Sequence, residues 1–273
     1  MKRASNWFSY AFLTLAGVLF IYPVMFLFVS SFKSYQDIYT KTWSFFTKFS
    51  LDNFYRAWDM ANLSRAYKNS LTITGIATGI ILICSILAAF SFANWIFKGK
   101  RTLYFVILAS LMIPLETLVV PLFISLKNYG LLNNLFGVIL PYAAIGIPFS
   151  TLVLTEFFKE IPVELRDAAR IDGCSDFRYL WQIVIPLSGP AISGVTIFQG
   201  SIIWNEFIIA LTILQASALY TIPLEVATFS RRYYTEWPLV FSTLSISMIP
   251  VMLLYAVFQR SYVKGMTLGA IKG

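Results

Sequence analysis

The sequence contains no histidine. That removes the commonest general base, proton shuttle and metal ligand. Cysteine is almost as scarce. Cys84 lies in an apolar run and Cys174 in a charged segment, so neither a disulfide nor a cysteine zinc site is expected. Charge is thin as well: 12% of the 273 residues are charged, about half the share of a soluble domain. No Gly-x4-Gly-Lys-Ser/Thr segment occurs, which excludes a P-loop for ATP. No serine or threonine has a histidine to activate it. The expected sets of catalytic, cofactor-binding and metal-binding residues are therefore empty, and the chain is read as a non-enzyme.

Apolar residues are what the chain has in quantity: 58% are hydrophobic and 17% aromatic. A chain of this length cannot bury that surface in a soluble core, so lipid is its solvent. The net charge of +8 does not point to nucleic acid. Its basic residues are spread through short connections between apolar runs rather than gathered on one face.

About six spans are expected, near residues 8–32, 70–96, 102–126, 134–157, 187–214 and 239–258. The first follows Lys2 and Arg3 and is too long for a secretory h-region, so it is read as an uncleaved span. Gly75, Gly79, Ser85, Ala88, Ala89 and Ala93 suggest a small-residue packing face on the second. Pro114, Pro121, Pro141 and Pro148 suggest broken spans. The fold class is thus all-α and polytopic, with one transmembrane domain over 1–273 and a charged loop at about 158–186 between spans four and five.

With both termini inside, the inner segments hold twelve basic residues and the outer ones nine. Six of the nine fall in the long first outer connection, residues 33–69. Without it the balance is twelve to three, which places the termini in the cytoplasm. That connection carries Trp43, Phe45, Phe46, Phe54, Tyr55 and Trp58. They suit either a loop lying among headgroups or a docking surface for an external protein.

The 158–186 loop is the longest charged interruption in the second half. Pro162 suits a helix start. A short helix over about Pro162–Ile171 puts Leu165, Ala168, Ala169 and Asp172 on one face. Gly173 allows a left-handed turn that ends it. A second helical stretch starts near Ser175, with Phe177, Leu180, Trp181 and Val184 on one face. Physics alone permits an amphipathic pair on lipid headgroups or a rigid lever beneath the bilayer.

Asp167-Ala168-Ala169, Gly173 and Ile185-Pro186 at this spacing resemble the cytoplasmic EAA loop of ABC importer permeases of type I fold. Three further groups are similar to carbohydrate importer permeases. They are Met112-Ile113-Pro114 with Pro121-Leu122-Phe123 and Gly130-Leu131-Leu132-Asn133; Gln199-Gly200 with Trp204-Asn205-Glu206-Phe207; and the ending from Gln259 to Gly273. The ending resembles the second permease of the maltose type. The resemblance implies that Leu165, Asp167, Ala168, Ala169, Asp172 and Gly173 couple to an ATPase, with Asp167 where the family usually has Glu. It implies these partners: a second permease, two ATPase subunits carrying ATP and Mg, an extracytoplasmic solute-binding protein and a carbohydrate substrate. It also implies that a tail ending near Lys272 touches the ATPases.

Glu116 and Glu206 lie within apolar runs, where a charge costs at least about 2.5 kcal/mol and normally faces a cavity or partner. Gln199 is on the same helical face as Glu206. With Trp204 and Asn205 these form a candidate substrate pathway, a ring to cover a sugar and polar groups to bond hydroxyls. Helix–helix bonding is the other reading. Ion coupling through Glu116 and Glu206 in a stand-alone secondary transporter or channel is the alternative function.

Overall fold

The computed structural model describes the backbone of residues 2–45, 50–231 and 234–270, with side chains at 7, 9–45, 50–229 and 235–257. Phe46 and Lys272 lie outside these residues, as do the side chains of the Gln259–Gly273 ending. Among the described residues, four helices have the length and apolarity to cross a membrane: Ser9–Ser30, Leu63–Asn94, Leu135–Lys159 and Trp237–Val257. Two bent pairs raise the number to six, Lys100–Met112 with Leu115–Asn128 and Asp176–Leu187 with Gly189–Asn205. The expected all-α architecture is what the chain adopts, apart from two paired two-residue strands, Ser230–Arg231 and Tyr234–Thr235.

The contacts fall into two compact units, Met1–Ala66 with Ile222–Ile249 and Tyr67–Thr221 with Pro250–Gly273. In the first, the connection after span one is a folded structure. The short helices Tyr35–Thr40 and Asp52–Met60 are held by buried polar groups. Lys33 is 1% exposed. Its ammonium donates to the carbonyls of Thr42 (2.7 Å) and Lys41 (3.3 Å) and sits over the Phe26 ring. Burial pushes its pKa below the usual lysine range. The Asn53 amide donates to the carbonyls of Ser31 and Lys33 at 3.0 and 2.8 Å. Trp43 packs on Tyr22 and Phe26 but is largely exposed, and Phe54 packs on Phe32.

The same unit holds the helix Ile222–Thr228 with the buried Glu225. Burial raises this carboxyl to about 7 and the nearby Arg65 charge opposes the rise. A raised folded-state pKa means that the folded chain holds the proton more tightly. The stability it contributes is full below the unfolded value near 4.5 and is lost as pH rises through about 7. No histidine titrates in that window. The melting temperature of the purified protein is expected to fall between pH 5.5 and pH 8, and Glu225→Gln should flatten that difference.

In the second unit, the helix Leu63–Asn94 buries a stripe at near four-residue spacing: Ile73, Ala77, Ile81, Ser85, Ala89 and Phe92. Of the expected small-residue face, Ser85 and Ala89 lie on this stripe. Gly75 and Gly79 do not, and a side chain added at either would meet nothing within 4 Å. A close approach to this stripe is at Gly146 in the helix Leu135–Lys159, where an added Cβ would lie 2.4 Å from Ile81 Cδ1.

Of the expected breaks, the structure has the one at Pro114. Ile113 is extended (φ −85°, ψ 115°), because a residue before proline is forced out of the α region. The chain then turns by 101°. Pro121, Pro141 and Pro148 instead lie inside continuous helices, as a membrane helix can tolerate when neighbours or local adjustments satisfy the freed groups. The apolar run expected as span five does not stay helical to Leu214. It ends at Asn205 and resumes as the short helix Ile208–Ile213. The last helix does not stop at the expected end of span six, near residue 258, but continues to Ala270.

A lever and a capped break as candidate functional site

The charged loop builds a lever within the second unit. Pro162 stands one residue outside the helix, at ψ 133°, and Val163–Ile171 forms the helix itself. Gly173 sits at φ +73°. Its amide donates to the Arg170 carbonyl (3.0 Å) and the Cys174 amide to the Ala169 carbonyl (2.8 Å). This pair of bonds is a Schellman ending, which satisfies carbonyls that a helix terminus leaves open. The Ser175 hydroxyl then caps the next helix by accepting from the Arg178 amide. That helix runs Asp176–Leu187 with a π turn at Leu180–Val184, and meets Gly189–Asn205 at 76°.

The expected faces divide. Ala169 is 7% exposed and joins a cluster with Ala89, Phe90, Leu154, Phe158, Tyr179, Leu180, Val184 and Val195. It docks the helix to its own chain, so it is not on the surface offered to a partner. Leu165, Asp167, Ala168, Asp172 and Gly173 are the residues left outside. On the second helix Leu180 and Val184 are buried, whereas Phe177 and Trp181 are exposed and pack on each other, ring centroids 6.0 Å apart. The single face expected for these four is therefore two faces.

Arg166, Asp176 and Trp95 complete the mounting, and sequence reasoning missed all three. Arg166 Nη1 donates to the Asn94 carbonyl at 2.5 Å. Trp95 Nε1 donates to Asp176 at 3.0 Å. Arg166 and Arg170 stand 3.8 and 3.7 Å from the same carboxylate, too far for hydrogen bonds but close enough to balance its charge. A signal existed in the basic residues at 166 and 170 with an acid at 176. Only the fold shows that Asn94 and Trp95, at the end of span two, are their other partners.

Arg166 is the better buried of the two arginines, with 16% of its side chain exposed against 55% for Arg170. Arg166→Ala is expected to weaken the mounting by about 1.5–3 kcal/mol, the range for a hydrogen bond to a charged group. Arg170→Ala should cost under about 1 kcal/mol. Thermal unfolding of the two purified variants, compared with the unaltered chain, checks the ordering.

The candidate pathway residues are placed differently from one another. Gln199 is 4% exposed and its amide donates to the Gly146 carbonyl and Ser150 Oγ, both at 3.1 Å. Trp204 is 5% exposed and packs near Tyr67. Glu206 sits at the end of span five. One carboxylate oxygen accepts from the Ile209 amide (2.9 Å), the other from the Ala210 amide (3.2 Å) and from the Tyr142 hydroxyl. It caps the short helix that follows the break. These three are tied into the scaffold. Asn205 and Glu116 are partly or fully exposed. The Asn205 amide donates to the Ser201 carbonyl (2.8 Å), and Glu116 lies in the first turn after the Pro114 break, where a negative charge suits the helix dipole.

A helix-turn-helix mounted on the ends of two spans, between spans four and five of a six-span chain, is the arrangement that the EAA-loop resemblance predicts. Residues 81–268 match the family described as binding-protein-dependent transport system inner membrane component. The chain belongs to that family. The resemblance to ABC importer permeases stated above holds, and this inner membrane component is a multi-pass membrane protein. It is 34% identical to a putative ABC transporter permease of a Caldicellulosiruptor species, covering 100% of this chain and 99% of that one. It is 32% identical to the diacetylchitobiose uptake system permease protein NgcG of Streptomyces coelicolor, covering 97% of this chain and 88% of the relative. The arabinooligosaccharides transport permease AraQ of Halalkalibacterium halodurans is 30% identical over 93% of this chain and 91% of its own length. A crystal structure of a bacterial ABC transporter that imports alginate contains a chain of the same fold, with TM-score 0.82 and 22% identity over 94% of this chain and 96% of that one.

Proposed function

We propose that this permease is one of two membrane subunits of an ATP-driven carbohydrate importer in a bacterial inner membrane, with both termini cytoplasmic. The observation that carries the coupling role is the lever. Its outer surface of Leu165, Asp167, Ala168 and Asp172 is exposed among the described residues, while its inner surface is hydrogen-bonded to the end of span two and joins a buried cluster with residues of spans two, four and five. Closure of two ATPase subunits, which carry the ATP and Mg, pulls on that surface. The mounting passes the motion to the spans as rigid-body movement between inward-open and outward-open states. An extracytoplasmic solute-binding protein delivers substrate to the outer connections. The cavity of about 580 Å³ beside the Arg56–Glu236 pair, lined by Tyr35, Asp37 and Asp52 among others, offers it a polar surface.

The carbohydrate class is supported by the oligosaccharide names of the relatives at 30–32% identity. Specificity is assigned to groups other than Gln199, Trp204 and Glu206, because their polar atoms or rings are engaged in the scaffold. Ion coupling through Glu206 is disfavoured for the same reason. The test is expression with the neighbouring reading frames, purification, and reconstitution with a radiolabelled oligosaccharide. ATP-dependent uptake that needs the binding protein is expected. Uptake by this chain alone, driven by an ion gradient, would overturn the proposal.

A further inference from the structure

On the membrane face that carries the lever, a cleft of about 530 Å³ opens where spans two and four end and span three begins. Its walls include Phe97, Lys100, Arg101, Thr102, Tyr104 and Lys159. The charges do not cancel. Lys159 is paired with Glu156 at 2.8 Å and lies over the Tyr104 ring, so that pair is neutral. Lys100 donates to the Trp95 carbonyl (2.8 Å), which leaves its charge unbalanced. Arg101 is exposed and has no ion pair among the described residues. The helix that begins at Lys100 has no side-chain cap, with Gly99 at φ +80° before it, so its first amides add to the positive potential.

The cleft also has an apolar extension. An adjoining hollow shares Arg101, Thr102 and Tyr104 and continues along Phe105 and Leu108 of span three. Phe105 is 70% exposed. A small anion would have no use for this ridge. A phosphodiester carrying acyl chains matches both parts, the phosphate at Arg101 and Lys100 and a chain along Phe105 and Leu108. We infer that this cleft is a binding site for an anionic phospholipid of the adjacent leaflet. Basic pockets between membrane helices bind such headgroups by the same charge complementarity. The occupied site would tie span three to the end of span four, beside the lever mounting. The inference needs only the membrane setting, so it stands or falls apart from the carbohydrate proposal.

The experiment is native mass spectrometry on the delipidated, assembled transporter, titrated with phosphatidylglycerol or with phosphatidylcholine of the same acyl chains. Phosphatidylglycerol should bind more tightly. Arg101→Ala should weaken it about fivefold, the change that about 1 kcal/mol per basic residue implies, and leave phosphatidylcholine unchanged. Because Arg101 is exposed and has no ion pair among the described residues, the variant is expected to fold, and Arg101→Lys should restore binding to within about twofold. Equal retention of the two lipids, or undiminished phosphatidylglycerol binding by Arg101→Ala, would overturn the inference. Displacement of phosphatidylglycerol by equimolar glycerol phosphate would also overturn it, since the site would then belong to a free phosphate.

Discussion

Gly173→Val is expected to abolish ATP-dependent uptake and to lower ATPase association about tenfold or more, while the chain still inserts in the membrane. Nothing lies within 4 Å of where the new Cβ would be, so the cause is backbone conformation rather than a clash. A non-glycine residue at φ +73° costs roughly 1–2 kcal/mol, and more when β-branched. The chain can relieve that strain by giving up the Schellman bonds to Ala169 and Arg170. The last turn of the Val163–Ile171 helix then loosens and the Asp167–Asp172 surface moves. A change of about 1.4 kcal/mol is a factor of ten in association. Gly173→Asn is the internal control. Asparagine tolerates the left-handed region, so this variant should keep a measurable part of uptake. Co-purification of the ATPase subunits and uptake in vesicles read the series.

Glu206→Ala is expected to destabilise the permease by about 3–5 kcal/mol, seen as a large fall in the melting temperature of the detergent-solubilised complex. The carboxylate accepts from the Ile209 and Ala210 amides and from the Tyr142 hydroxyl. Losing it leaves three donors without their acceptor where span five breaks. Each unmet buried donor costs about 1–3 kcal/mol. Glu206→Gln keeps one acceptor oxygen, enough for one of the two amides, and its NH2 can donate to the Tyr142 oxygen, so it should cost less than Glu206→Ala. The ion-coupling alternative predicts another pattern: Glu206→Gln would stop transport with stability unchanged. Melting curves and uptake on the same two variants separate a structural cap from a titrating carrier.

Much of this fold was legible because lipid imposes long apolar helices, and a run of about twenty such residues is hard to mistake. The turn at Gly173 was legible for a local reason, since a left-handed ending wants glycine. What could not be read were features set by partners distant in sequence. Ala169 and Ala168 are equivalent small residues in the chain. Only the fold places Ala169, and not Ala168, in the buried cluster that includes Phe90, Leu154 and Val195. Pro114 breaks its span and Pro148 does not, although both follow isoleucine. Glu206 looked like a membrane charge seeking a ligand, and its ligands are the amides three and four residues on. The π turn at Leu180–Val184 shifts the helical register and separates Phe177 and Trp181 from Leu180 and Val184, which a 3.6-residue periodicity cannot anticipate. Asn133 carries a bond set of the same long-range kind. At φ +55°, its side-chain oxygen accepts from the amides of Gln215 and Ala216, fixing the turn after span three to the residues beyond the short Ile208–Ile213 helix.

The central claim is that the exposed side of the Val163–Ile171 helix receives the ATPase while its other side belongs to the permease. The most direct measurement uses single cysteines at adjacent positions, Ala168→Cys and Ala169→Cys, in a chain with Cys84→Ser and Cys174→Ala, assembled with its partners and treated with a short amine-to-thiol cross-linker. The account predicts a cross-link to the ATPase subunit from position 168 and none from position 169. An intact complex in which position 168 gives no such cross-link, or in which both positions react alike, would contradict it.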